Sequence, residues 1–181
     1  MRKLTLVLGL LALLAVPALA EPRHLLATSG NWSLYQDESY VIDWRKGNKL
    51  ILSNACVAET VQVQTTMQVI ALPPSTPQQD LDLNGQLLMR VAVNQWNYSP
   101  DWNQLIVTVM NRDSKRKAFF NGPWITALMG PWATQGNPFG RAAAIWGEEI
   151  VFKDRARQEL TAVRASGLNA IYPQLLACGS R

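Results

Sequence analysis

His24 is the only histidine in the chain, and that limits nucleophilic catalysis at once. A Ser–His–Asp or Cys–His arrangement needs its histidine held in a cleft beside the nucleophile. His24 falls in a stretch (21–30) that reads as an extended arm, where order is not expected. Carboxylate pairs occur only as sequence neighbours. Glu148 and Glu149 point to opposite faces of a strand, whereas a glycosidase needs two acids facing each other across a groove. Asp101 and Asp113 have no partner set by spacing. The run DLDLNG (80–85) copies the opening of a calcium loop, with Asp80, Asp82 and Asn84 at positions one, three and five and Gly85 at six. Position twelve, normally a bidentate Glu, is Val91. Leu81 and Leu83 alternate with the polar residues as a strand does, and Asn84-Gly85 is a strong hairpin signal. The expectation is a hairpin turn, with an incomplete cation loop on Asp80, Asp82 and Asn84 as the lesser option. No motif calls for a cofactor.

Aromatic residues are the remaining chemistry. There are seven Trp, and Trp96, Tyr98 and Trp102 crowd the polar segment NQWNYSPDWN. Two Gly-Pro-Trp triplets, ending at Trp124 and Trp132, lie eight residues apart. Loop aromatics offer large contact area at low entropic cost to sugars, peptides or proteins. The structural alternative is that each Pro sets a corner and each Trp folds back to cap the sheet. Trp32, Trp44 and Trp146 lie on strand-like segments and are expected in the core.

Something must position these residues, and the chain ends say where it does so. Residues 1–20 combine a basic start (Arg2, Lys3), an apolar run and a small-residue end at Ala18 and Ala20. That is the pattern of a secretory signal cleaved before Glu21. The expected mature chain, 21–181, suits one domain. Without Arg2 and Lys3 it holds 15 basic against 13 acidic residues. So slight an excess, scattered in short runs such as SKRK (114–117) and KDRAR (153–157), does not make the basic face that nucleic acid requires. Both runs read as solvated loops. No later run is apolar enough for a membrane-spanning helix. Export also makes the two cysteines readable: Cys56 and Cys178 are expected to pair in an oxidising compartment, the alternative being two free thiols.

Between the ends, period-two patterning dominates. NWSLYQ, SYVIDWR and KLILSNA read as strands. VAETVQVQTTMQVIAL reads as one longer strand with Val61, Val63, Thr65, Met67 and Val69 buried and Gln62, Gln64, Thr66 and Gln68 wet. QLLMRVAV and QLIVTVM follow, NRDSKRK turns the chain, and AAAIWGEEIVF and QELTAVRA are weaker candidates. Many short strands between turn signals predict a mainly β domain, an antiparallel sandwich or barrel. The tail differs. Leu168, Ile171, Tyr172, Leu175 and Leu176 form one face of a helix, with Ser166 as a possible N-cap and Pro173 either kinking it or opening its regular part. The helix delivers Cys178 towards the sheet.

The tail ASGLNAIYPQLLACG and the opening GNWSLYQD (30–37) resemble the two ends of exported bacterial β-sandwich proteins of the invasion-associated locus B family. The resemblance implies a periplasmic or secreted accessory role, binding an envelope or host protein, rather than an enzyme. A glycan- or peptidoglycan-binding module built on the loop aromatics is the second expectation, and an envelope hydrolase the third.

Overall fold

The structure is a computed structural model that describes residues 23–44, 48–73, 85–93, 104–109, 112–121, 123–131 and 149–179. The described strands are β1 (Arg23–Ser29), β2 (Trp32–Trp44), β3 (Asn48–Gln62), β4 (Thr65–Ala71), β5 (Gln86–Val93), β6 (Gln104–Val109), β7 (Arg112–Asn121), β8 (Trp124–Pro131), β9 (Glu149–Lys153) and β10 (Glu159–Arg164), followed by helix α1 (Leu168–Gly179). All pairings are antiparallel. They form one ten-stranded sheet in the order β1-β2-β3-β4-β5-β8-β7-β6-β9-β10, whose end strands β1 and β10 do not pair. The mainly β expectation holds, as a single open sheet.

The sheet doubles over on itself, because its inner face is apolar along its whole width. Trp32 and Leu34 of β2, Met67 and Val69 of β4, and Leu87 and Met89 of β5 share one core with Leu105 and Val107 of β6, Phe152 of β9 and Val163 of β10. Helix α1 completes this core with the stripe read from the sequence: Leu168, Ile171, Tyr172 and Leu175 are buried and Leu176 is packed against them. Its Cys178 is bonded to Cys56 of β3. Pro173 lies inside the helix, so the Asn169 carbonyl on the exposed side lacks its helical donor. The turn before α1 puts Gly167, at φ +97°, where Ser166 was expected to cap it.

Both end strands are irregular along their length. β1 and β10 each carry a bulge, at Leu26 and Leu160, a device that spoils a free edge. The outer edge of β10 is also bonded. The Gln62 side chain accepts from the Arg164 N–H and donates to its carbonyl, each at 3.2 Å, as a neighbouring peptide would. Trp32 Nε1 donates to the same carbonyl at 3.1 Å.

Three expectations are corrected here. The stretch around His24 is a strand paired to β2, because its backbone completes the edge of the sheet. The run read as one strand from Val57 to Leu72 breaks at Val63-Gln64 into the β3–β4 hairpin, which leaves Val61 and Val63 exposed and buries Gln68. SKRK is not a loop. It lies within β7, where Lys115 and Lys117 face solvent while Arg116 is half-buried and Ala118 joins the core. KDRAR does make the β9–β10 turn, held by the Gln158 N–H on the Asp154 carboxylate at 2.7 Å.

Tyr172 gives the core a pH dependence. Burial pushes its hydroxyl up to about 12, from an ordinary value of 10.0. A raised folded-state value means its contribution is complete below pH 10 and is lost as pH climbs towards 12. Two units correspond to at most about 2–3 kcal/mol. Tyr172→Phe is expected to flatten the fall in stability across that window, read as denaturation midpoints at stepped pH. An unchanged slope would sink this assignment.

Candidate functional site

The outer face of the sheet holds a second, smaller core, and a bent hairpin makes it. β2 and β3 are long, and their far halves leave the sheet near Asn54, a non-glycine residue at φ +54°. Side chains of one parity, Trp32 and Leu34 on β2, belong to the inner core. Tyr40 and Ile42, of the same parity further on, lie instead against Val57, Ile70, Leu72 and Leu88 of the outer face, together with Leu50 and Leu52 of β3. The hairpin is thus an arm folded across the back of the sheet. It covers the apolar row Val57–Ile70–Leu88–Leu128, whose members are register partners on β3, β4, β5 and β8.

The next row along the strands is polar. Glu59, Gln68, Arg90 and Thr126 are successive cross-strand partners, and the arm's Tyr40 reaches over them. Tyr40 donates to Gln68 Oε1 and accepts from Arg90 Nη1. Gln68 Nε2 donates to Glu59 Oε2 at 2.6 Å. The other Glu59 oxygen accepts from Arg23 Nη1 at 3.3 Å, and Arg23 Nε donates to Asp37 at 2.7 Å. Burial raises the Tyr40 hydroxyl above its ordinary range, against the pull of the Arg90 charge. The result is a chain of planar polar groups from β1 to β5.

Arg90 is the anomaly in it. The residue is 7% exposed, and its Nη1 is bonded only to the neutral groups of Tyr40 and Gln68. Its Nε is buried with no hydrogen-bond partner. Among the described residues no carboxylate pairs with it. Its charge rests on aromatic faces: the guanidinium carbon is 4.5 Å from the Trp124 ring centre and 5.6 Å from that of Tyr40. A buried cation without an anion is costly, and an apolar side chain of similar volume would pack here without that cost.

The last row, Val61–Thr66–Ala92–Trp124, lies beyond the arm. Val61 is 70% exposed, and Val63, at the tip of the β3–β4 turn, is fully so at 101%. Trp124 opens β8 and is half-buried against Arg90.

Of the aromatic residues nominated from sequence, Trp124 is thereby placed. Trp96, Tyr98, Trp102 and Trp132 lie outside the described residues, as do Asp80, Asp82, Asn84, Asp101, Trp146 and Glu148. Gly85, at φ +65°, bonds back to the Pro73 carbonyl at 3.0 Å. It closes the base of a connection running from 74 to 84, not a two-residue hairpin. Trp32 is in the core as expected. His24, on the edge strand, is mostly exposed and lies 3.5 Å from Glu38. Asp113 accepts from Thr108 and Lys153, which hold its carboxyl below the usual range. No three metal-binding side chains converge among the described residues, and no described helix is long and apolar enough to cross a membrane.

Sequence reading did not single out Glu59, Gln68, Tyr40 or Arg90. The signal was present for one of them: Arg90 interrupts the apolar run QLLMRVAV, and a charge inside such a strand needs a reason. No protein-family model, curated protein or solved structure matches this chain.

Proposed function

We propose that the protein is a non-enzymatic accessory protein of the cell envelope, periplasmic or else secreted, that binds another envelope or host protein. The observation that carries this reading is the row the arm leaves bare. Val61 and Val63 project apolar side chains into water across β4 and β5 from the half-buried Trp124, on a face whose other apolar row is largely covered by the arm. Exposed apolar groups gathered at one end of a face, with an aromatic anchor at the margin, are the usual material of a protein interface. The bulges in β1 and β10, and the Gln62 bonds on β10, argue for face-on docking over strand addition. The export pattern and the locus B resemblance supply the compartment. The two segments that carry that resemblance also meet in the fold, where the Gly30 turn touches the Gly167 turn.

Photo-cross-linkers at Val61 and Val63, with Lys115 on β7 as control, test this in the cell. The expected result is one identified protein captured from both valine positions and not from Lys115, which then rebinds the purified mature chain. Equal capture at all three positions, or none, would overturn it. Quenching of Trp fluorescence by soluble muropeptides without protein capture would instead establish the glycan-binding alternative.

A further inference from the structure

We propose that Arg90 is a carboxylate receptor beneath the Trp124 indole, and that the protein's partner docks by placing an Asp or Glu side chain on it. The inference rests on the binding reading above and names the chemistry of the contact. Three observations carry it. Arg90 is more than nine-tenths buried with an unpartnered Nε, so the guanidinium keeps a donor unused on one edge. Its charge has no carboxylate among the described residues, whereas Arg23, on the same polar chain, has two. Half-buried Trp124 lies over it, at the end of the Val61–Trp124 row.

The structural alternative is that Arg90 merely pins the arm through Tyr40. One nitrogen suffices for that task, and both bonds to Tyr40 and Gln68 come from Nη1. The positive charge is surplus to the pin. A carboxylate is the group that matches an unused guanidinium Nε–H, because its oxygens accept short, charge-assisted bonds from that side of the fork. Trp124 then acts as a lid that holds the cation until the carboxylate replaces it. A protein source is favoured over an acidic sugar because the row that ends at Trp124 carries exposed Val61 and, beyond it, Val63 at its other end, which suit apolar side chains of a polypeptide.

The test follows the Arg90 Nε–H and Trp124 indole N–H signals by NMR on the mature, disulfide-bonded chain. Probes are acetyl-Glu-amide, its neutral isostere acetyl-Gln-amide, glucuronate and glucose. Saturable shifts of both signals with acetyl-Glu-amide, at least tenfold weaker with acetyl-Gln-amide, support the proposal. Trp124→Ala, which removes the lid and leaves Arg90, is expected to tighten acetyl-Glu-amide at least threefold. Arg90→Met should abolish the indole shift, and the Trp124→Ala arm decides the matter if that variant does not fold. No saturable shift in either the native chain or Trp124→Ala overturns the site. Glucuronate binding tenfold tighter than acetyl-Glu-amide overturns the protein source and assigns the site to acidic sugars. Cross-link capture at Val63 without any carboxylate response would overturn this inference and leave the accessory role standing.

Discussion

Removing the Cys56–Cys178 disulfide is expected to cost the fold about 4 kcal/mol. The bond closes a loop with a sequence separation of 122, and chain entropy for a loop of that length gives about 4–5 kcal/mol as a ceiling. The loss falls on a particular place. Helix α1 is the last element, and it covers the inner face of the early strands with Leu168, Ile171, Tyr172 and Leu175. Without the bond the helix still has this stripe to bury, but nothing limits how far it departs when it opens. The Cys56→Ala/Cys178→Ala double variant should therefore shift the urea midpoint strongly and raise amide exchange in α1 before the rest of the sheet. A loss below about 1 kcal/mol would show that packing alone holds the helix, contrary to the entropy argument. Exchange rising evenly over all strands would show that the helix and sheet open as one unit.

Gly167→Ala is the second, and it acts through the backbone. A Cβ at this position would lie 2.1 Å from the Ser29 carbonyl oxygen, and the residue sits at φ +97°. Neither obstacle is a side chain that can swing away. Strain and overpacking each cost about 1–3 kcal/mol, so their sum is about 2–6 kcal/mol. Gly85→Ala is the matched control: it has φ +65° but nothing within 4 Å, so only the backbone term applies, about 1–2 kcal/mol. Denaturant titrations of the two variants should separate by at least about 1 kcal/mol. Equal losses would mean that the contact between the Gly30 and Gly167 turns gives way freely.

The Arg90 site and the bare Val61–Trp124 row share one cause, the bend of the β2–β3 arm. Had the arm continued flat, Tyr40 would not meet Gln68 and Arg90. The outer apolar row Val57–Ile70–Leu88–Leu128 would then face water. The arm covers that row and the polar row beside it, and stops there. What it leaves uncovered is the Val61–Trp124 row, the surface from which we propose that a partner reaches Arg90.

How much of this could be read from the residues depends on how far apart the interacting groups are. The α1 stripe, strand β5 and the pairing of the cysteines were legible, because helix period, strand alternation and the chemistry of an oxidising compartment are local or covalent properties. The mainly β class of the chain was legible on the same grounds. Other features were decided only by tertiary structure. The break at Val63-Gln64 keeps perfect alternation through a turn, so no periodicity marks it; cross-strand register alone places it. The burial of Gln68, read as wet, depends on an arm that arrives from a segment more than twenty residues away and bends at Asn54. Arg90 shows the division most clearly. Its residue type and its apolar neighbours were visible in the chain, but its lack of a carboxylate among the described residues and its stack on Trp124 exist only once β5 and β8 are paired and the arm is laid across them. Local patterning sets which elements form, and long-range packing sets which of their side chains are left with unused chemistry.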